Sequence, residues 1–118
     1  MLSLGHKNLE VWQQSIQFIV HIYKLTHKFP NHELYALISQ IRRSVVSISS
    51  NIAEGASRSN TKDRRRFYEI ARSSLVELDT QLEIAKQLEY CNENELENIE
   101  KEMNQLFGRL SMLISKTK

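Results

Sequence analysis

The sequence predicts an all-α protein, a single domain over residues 1–118 folded as an up-down-up-down antiparallel four-helix bundle. Three observations lead there. Turn formers are scarce, with three glycines and one proline in 118 residues, too few for a β-rich chain of this length. Apolar residues recur at alternating spacings of three and four through long segments. Only three short breaks interrupt them, which makes successive helices antiparallel neighbours. An apolar share of 41% and a charged share of 25% are those of a folded globular chain.

The first helix is expected from about Asn8 to Lys28, with Asn8 as N-cap and Glu10 at the positive end of the helix dipole. Leu9, Trp12, Ile16, Ile19 and Tyr23 share one face. Val11, Phe18, Ile22 and Leu25 form a second stripe on nearly the opposite side. A surface helix of a monomer needs one apolar stripe. Two stripes predict burial on both sides, and the second, Val11, Phe18, Ile22 and Leu25, is assigned to a contact between copies of the chain. Phe29-Pro30-Asn31 is the first turn, because proline disfavours helical geometry in the residue before it.

The second helix is expected from about His32 to Glu54. Leu34, Ile38, Ile41, Val45, Ile48 and Ile52 form a heptad seam, and Gly55 stands where a C-cap takes a positive φ. Ser59, Asn60 or Thr61 caps the third helix, expected from about Lys62 to Glu89. Its face is Phe67, Ala71, Ser74, Leu78 and Ala85, flanked by Leu75 and Leu82. The serines of helix two (39, 44, 47, 49 and 50) and Ala71, Ser73 and Ser74 of helix three point to close helix-helix approach. Asn92 and Glu95 have the spacing of a capping box. The fourth helix then carries Leu96, Ile99, Met103, Leu106, Leu110 and Leu113.

No apolar run approaches the roughly 20 residues that span a bilayer, and Met1 to Lys7 lacks a signal-peptide core. The single cysteine, Cys91, has no partner for an internal disulfide. A cytoplasmic protein without membrane association is expected.

The net charge of +2 is unevenly spread. Residues 56–73 carry six basic side chains against Asp63 and Glu69, while residues 74–118 carry five against nine acidic ones. Arg58, Lys62, Arg64, Arg65, Arg66 and Arg72 form the strongest candidate for nucleic-acid contact, since phosphates are met by clustered Lys and Arg. Arg65 and Arg72 fall on one outward line. The plainer reading is a solvated, salt-bridged helix start, although basic residues in a first turn oppose the dipole. On helix two, Gln40, Ser47, Asn51 and Glu54, with Arg43 at the margin, make a narrow polar stripe. It reads as a polar groove or subunit contact, or as an ordinary solvated face.

No catalytic constellation is expected. Cys91 has no histidine or acid at motif spacing, and the serines lack a glycine-flanked nucleophile turn. His21 and His27 are six apart, so they do not share a helical face as ligands four apart would, and no Glu-x-x-His pair of a di-iron bundle occurs. Phosphate-loop and dinucleotide glycine motifs are absent. Neither metal nor cofactor is predicted.

Several runs resemble a known family. They are Leu9-Glu10-Val11-Trp12, Phe29-Pro30, Glu33-Leu34-Tyr35, Gln40-Ile41-Arg42-Arg43, and Ser47-Ile48-Ser49-Ser50-Asn51-Ile52-Ala53-Glu54-Gly55. The family is the bacterial four-helix-bundle proteins that include those encoded in intervening sequences of large-subunit ribosomal RNA genes. Accessory variability proteins of diversity-generating retroelements look like relatives. The resemblance implies a homopentameric barrel, with Gln40, Arg42, Arg43, Ser47, Asn51, Glu54 and Gly55 as motif or interface positions. From the retroelement relatives it also implies a basic surface for RNA or DNA and a reverse transcriptase as partner. Ser49 departs from the family, which usually has proline there, so a bend in helix two is left open. Two functions follow as expectations: a non-enzymatic homo-oligomer that binds nucleic acid through Arg58–Arg72, or a protein-interaction scaffold that does not.

Overall fold

The computed structural model describes residues 1–118. It is all-helical: α1 Glu10–His27, α2 Leu37–Ser57, α3 Thr61–Gln87 and α4 Glu93–Lys116, with single 3-10 turns at Gly5–Asn8 and Asn31–Glu33. Each helix packs on the next and α1 closes the square on α4. The bonds between helices run in opposite chain directions, as Ser44–Glu77 and Ser47–Ser74 do between α2 and α3. The bundle is therefore antiparallel throughout, 44 × 27 × 20 Å overall. No helix is long and apolar enough to cross a membrane.

The core follows the predicted seams where those seams are helical. Ile38, Ile41, Val45, Ile48 and Ile52 of α2 meet Ala71, Leu75, Leu78 and Leu82 of α3 and Leu96, Ile99, Met103, Leu106 and Leu110 of α4. Asn60 caps α3, accepting from the amides of Lys62 and Asp63. The Asn92–Glu95 capping box is formed in both directions. At the far end of α4, Ile114 is buried where Leu113 was expected.

α1 turns the other way from the expectation. Val11, Phe18, Ile22 and Leu25 are not a surface between copies; they lie inside the protomer, with Phe18 and Ile22 at 0% exposure. Ile16 and Tyr23 of the other stripe are exposed, while Trp12 and Ile19 only lean on the core. The deciding residues are Ser15 and Thr26, both fully buried. Ser15 bridges to Ser49 of α2 at 2.7 Å, and the Thr26 hydroxyl donates to the Ile22 carbonyl. Small hydroxyl side chains let α1 approach on their side, and the stripe next to them goes inside. Asn8 does not cap α1 either. It sits in the preceding 3-10 turn, and Leu9 holds the cap position without a side-chain bond.

α2 begins five residues later than expected and ends three later. Residues 29–33 are held to the α3–α4 turn instead: Phe29 packs on the Tyr90 ring and the Tyr90 hydroxyl donates to Glu33 Oε2 at 2.7 Å. Leu34 consequently leaves the seam and is exposed. At the other end, Gly55 is inside α2 and no glycine has a positive φ. Its role is steric. A Cβ there would stand 2.7 Å from Tyr68 Cε1 and 3.0 Å from the Arg64 carbonyl oxygen, so glycine lets α3 cross against α2. Tyr68 accordingly takes the buried place expected for Phe67. The one positive φ belongs to Glu89, after α3. There Tyr90 and Glu89 amides bond the Ala85 and Lys86 carbonyls, the two bonds of a Schellman ending.

Candidate nucleic-acid interface and assembly faces

The six basic residues of the α2–α3 corner do not act alike. Lys62, Arg65 and Arg66 are exposed on the first turns of α3, and Arg65 only brushes Glu69, at 3.9 Å. Arg58 is engaged by Glu54 at 3.0 Å and lies over the Phe67 ring. Arg64 is half-buried, its Nε without a partner. Arg72 shares the angular line of Arg65 but is folded down onto α4, donating to Ser111 Oγ at 3.0 Å and covering Phe107. The free part of the predicted patch is thus Lys62, Arg65 and Arg66, and Arg72 is a bridge between helices.

The middle of the polar α2 stripe, Ser47 and Asn51, faces α3. Ser47 shares a hydrogen bond with Ser74 at 2.9 Å, and Asn51 donates back to the Ser47 carbonyl and hydroxyl. Ser44 donates to Glu77. These short side chains satisfy one another where two helices come close, so Ser47 and Asn51 belong to the α2–α3 seam. Gln40, Arg43 and Glu54 are exposed. Arg42 ties α2 to the end of α1: its guanidinium donates to Thr26 Oγ1 and toward the Tyr23 carbonyl, and it covers the Tyr23 ring. A guanidinium at the negative end of a helix dipole is favourably placed.

Two apolar faces lie on opposite sides of the square; the first includes Ile16 and Tyr23, from the α1 stripe expected inside the bundle, and the second has no counterpart in the sequence pattern. On the α1–α2 side, Ile16, Val20, Tyr23 and Val46 are exposed, Tyr35 is 93% exposed, and Lys24, Lys28 and Arg42 line a groove of about 890 Å³. On the α3–α4 side, Val76, Phe107 and Met112 are exposed around a groove of about 310 Å³ edged by Asp79 and Glu100. The charged side chains lining the first groove are basic and those lining the second are acidic, with Arg72 over Phe107 at the second one's margin. A signal for the first was present: Ile16, Ile19, Val20 and Tyr23 extend the apolar arc of α1 beyond the width one core contact needs.

The α1–α4 side is polar. Gln14 bonds Gln105 and Arg109, and His21 bonds Glu102 at 2.7 Å. At the top of the bundle Cys91 is buried and its thiol is pushed up by that burial and by Glu95. A thiol kept protonated is a poor nucleophile. No three His, Cys, Asp or Glu side chains converge as metal ligands would.

Fold and surface together define an all-α four-helix bundle with two exposed apolar grooves. The chain belongs to the 23S rRNA-intervening sequence protein family, whose model matches residues 7–112. It is similar to a crystal structure from Bacteroides thetaiotaomicron described as a protein with unknown function from the S23 ribosomal protein family. The TM-score is 0.78 at 26% identity, over 88% of this chain and 97% of that one. No curated protein matches. Neither the family description nor that title names a catalytic activity.

Proposed function

We propose that this protein is a non-enzymatic, cytoplasmic building block that assembles with copies of itself and holds nucleic acid on the resulting surface. The observation that carries the reading is the pair of opposed faces, one apolar and basic, the other apolar and acidic. Complementary surfaces on opposite sides of one molecule associate head to tail, and such contacts close into a ring when the rotation allows. The α1–α2 face of one copy takes the α3–α4 face of the next, with Arg42, Lys24 and Lys28 meeting Asp79 and Glu100. Five copies is the number that the family resemblance implies. Lys62, Arg65 and Arg66 remain outside this contact and supply the phosphate contacts.

The mass in solution should be a multiple of the 13.8 kDa chain; a monomer at micromolar concentration would remove the assembly reading. Arg65→Ala with Arg66→Ala should weaken binding to mixed-sequence RNA and DNA and flatten its salt dependence by about two units on a log–log plot. A second reading, a scaffold for another protein without nucleic acid, is favoured by Tyr35, a nearly fully exposed aromatic. It would be preferred if the assembly bound no oligonucleotide at low salt.

A further inference from the structure

We propose that the nucleic acid lies across one end of the bundle, and that Lys7, Lys116 and Lys118 share its phosphate contacts with the α3 cations. The inference rests on the nucleic-acid reading above and says where that contact lies.

The register of the helices places these residues together. Arg72 bonds Ser111 between the antiparallel α3 and α4. Five residues back along α3 and five forward along α4 bring Phe67 and Lys116 to one height, and Lys118 follows just past the end of α4. Ser15 bonds Ser49 between α1 and α2; five residues back and five on bring Glu10 level with Glu54, and the 3-10 turn before α1, which holds Lys7, packs on α2. The same end thus gathers the start of the chain, the α2–α3 corner and the end of α4, three segments far apart in sequence. Lys116 and Lys118 are exposed, and the Lys7 ammonium is held by the Leu2 carbonyl.

The charge is divided along the long axis accordingly. The end built from residues 1–10, 50–72 and 109–118 carries ten basic and four acidic side chains; the remaining residues carry six basic and ten acidic. Helix dipoles do not create this polarity. In an up-down bundle two N-termini and two C-termini meet at each end, so their fields largely cancel. The side chains alone make one end cationic and the other anionic. A cross-section of 27 × 20 Å spans roughly six to eight phosphates of one strand at about 3.4 Å each. Rotation about a ring axis carries every copy's cationic end to the same side, which extends the surface without new residues.

The test compares Lys7→Ala/Lys116→Ala/Lys118→Ala with a control at the anionic end, Lys86→Ala/Lys101→Ala. The altered lysines lie in the N-terminal 3-10 turn, at the end of α4 and just past it, outside the core, so folding, checked by circular dichroism, is expected to persist. The probe is a 30-nucleotide RNA of mixed sequence and the matching DNA duplex, titrated at several salt concentrations, with phosphatidylserine vesicles as a third arm. The triple variant should bind about tenfold or more weakly at 0.1 M salt, with a log–log salt slope smaller by about two to three. The control should stay within about twofold. Unchanged affinity and slope in the triple variant would overturn the proposal while leaving nucleic-acid binding standing. Absence of oligonucleotide binding by the unmodified protein would overturn both readings. Binding to vesicles but not to oligonucleotides would replace the nucleic acid with a membrane surface.

Discussion

Gly55 invites a test in which two physical accounts disagree. In an ordinary helix interior, alanine is favoured over glycine by about 1 kcal/mol. Here the added Cβ meets the buried Tyr68 ring at 2.7 Å, and overpacking of that kind costs about 1–3 kcal/mol. Gly55→Ala should therefore lower the urea midpoint, and Gly55→Asn should lower it further. A left-handed C-cap, the role the sequence suggested, would instead tolerate asparagine. Titratable residues set a second expectation. The Glu33 carboxylate accepting its hydroxyl, with desolvation, holds Tyr90 above its usual 10.0, and burial holds Cys91 above 9.0. Both groups keep their protons longer in the folded chain, so the folded state binds more protons across that range. Their contribution to stability is complete below about pH 9 and declines as pH rises through the folded values. Unfolding midpoints measured from pH 7 to 11 should fall, and Tyr90→Phe should lessen the drop above pH 10.

At the level of single helices, legibility depended on whether a segment met one neighbour or two. α4 and most of α2 pack through an uninterrupted heptad seam, and periodicity identified their buried residues. α1 offers an apolar arc wide enough for two readings. Its choice is made by Ser15 and Thr26, hydroxyls that look like surface residues until Ser49 and Arg42 are seen opposite them. A single sequence carries no sign of those partners, so periodicity alone puts the wrong stripe inside. The same limitation applies to Arg72, whose outward angular position gives no hint of Ser111. The assignment of faces is open to measurement. Phe18→Ala should cost about 3–5 kcal/mol of unfolding free energy, as deletion of a buried aromatic does, while Ile16→Ala should cost less than about 1 kcal/mol. Chemical denaturation of the two variants, each at a concentration where it is monomeric, decides the matter; equal losses would put both stripes in the core.

On the scale of the molecule, the opposed faces predict complementation. Val20→Asp disables the α1–α2 face and Val76→Asp the α3–α4 face, and each variant alone should be monomeric. Mixed, they retain one intact contact between them and should form a 1:1 dimer of about twice the chain mass. A face that pairs with its own copy would give no such rescue; sedimentation of the mixture distinguishes the two. The molecule is also unevenly closed. α2 and α3 are joined by three residues, Arg58–Asn60, so their contact closes a short loop. The α1–α4 seam joins residues 91 apart, such as Gln14 and Gln105, and loop closure over that distance has a larger entropy cost. Its outer side is fastened by exposed polar bonds. The bundle is thus hinged at the α2–α3 corner and latched at α1–α4, and amides flanking the latch should exchange with solvent through partial opening before the hinge pair separates.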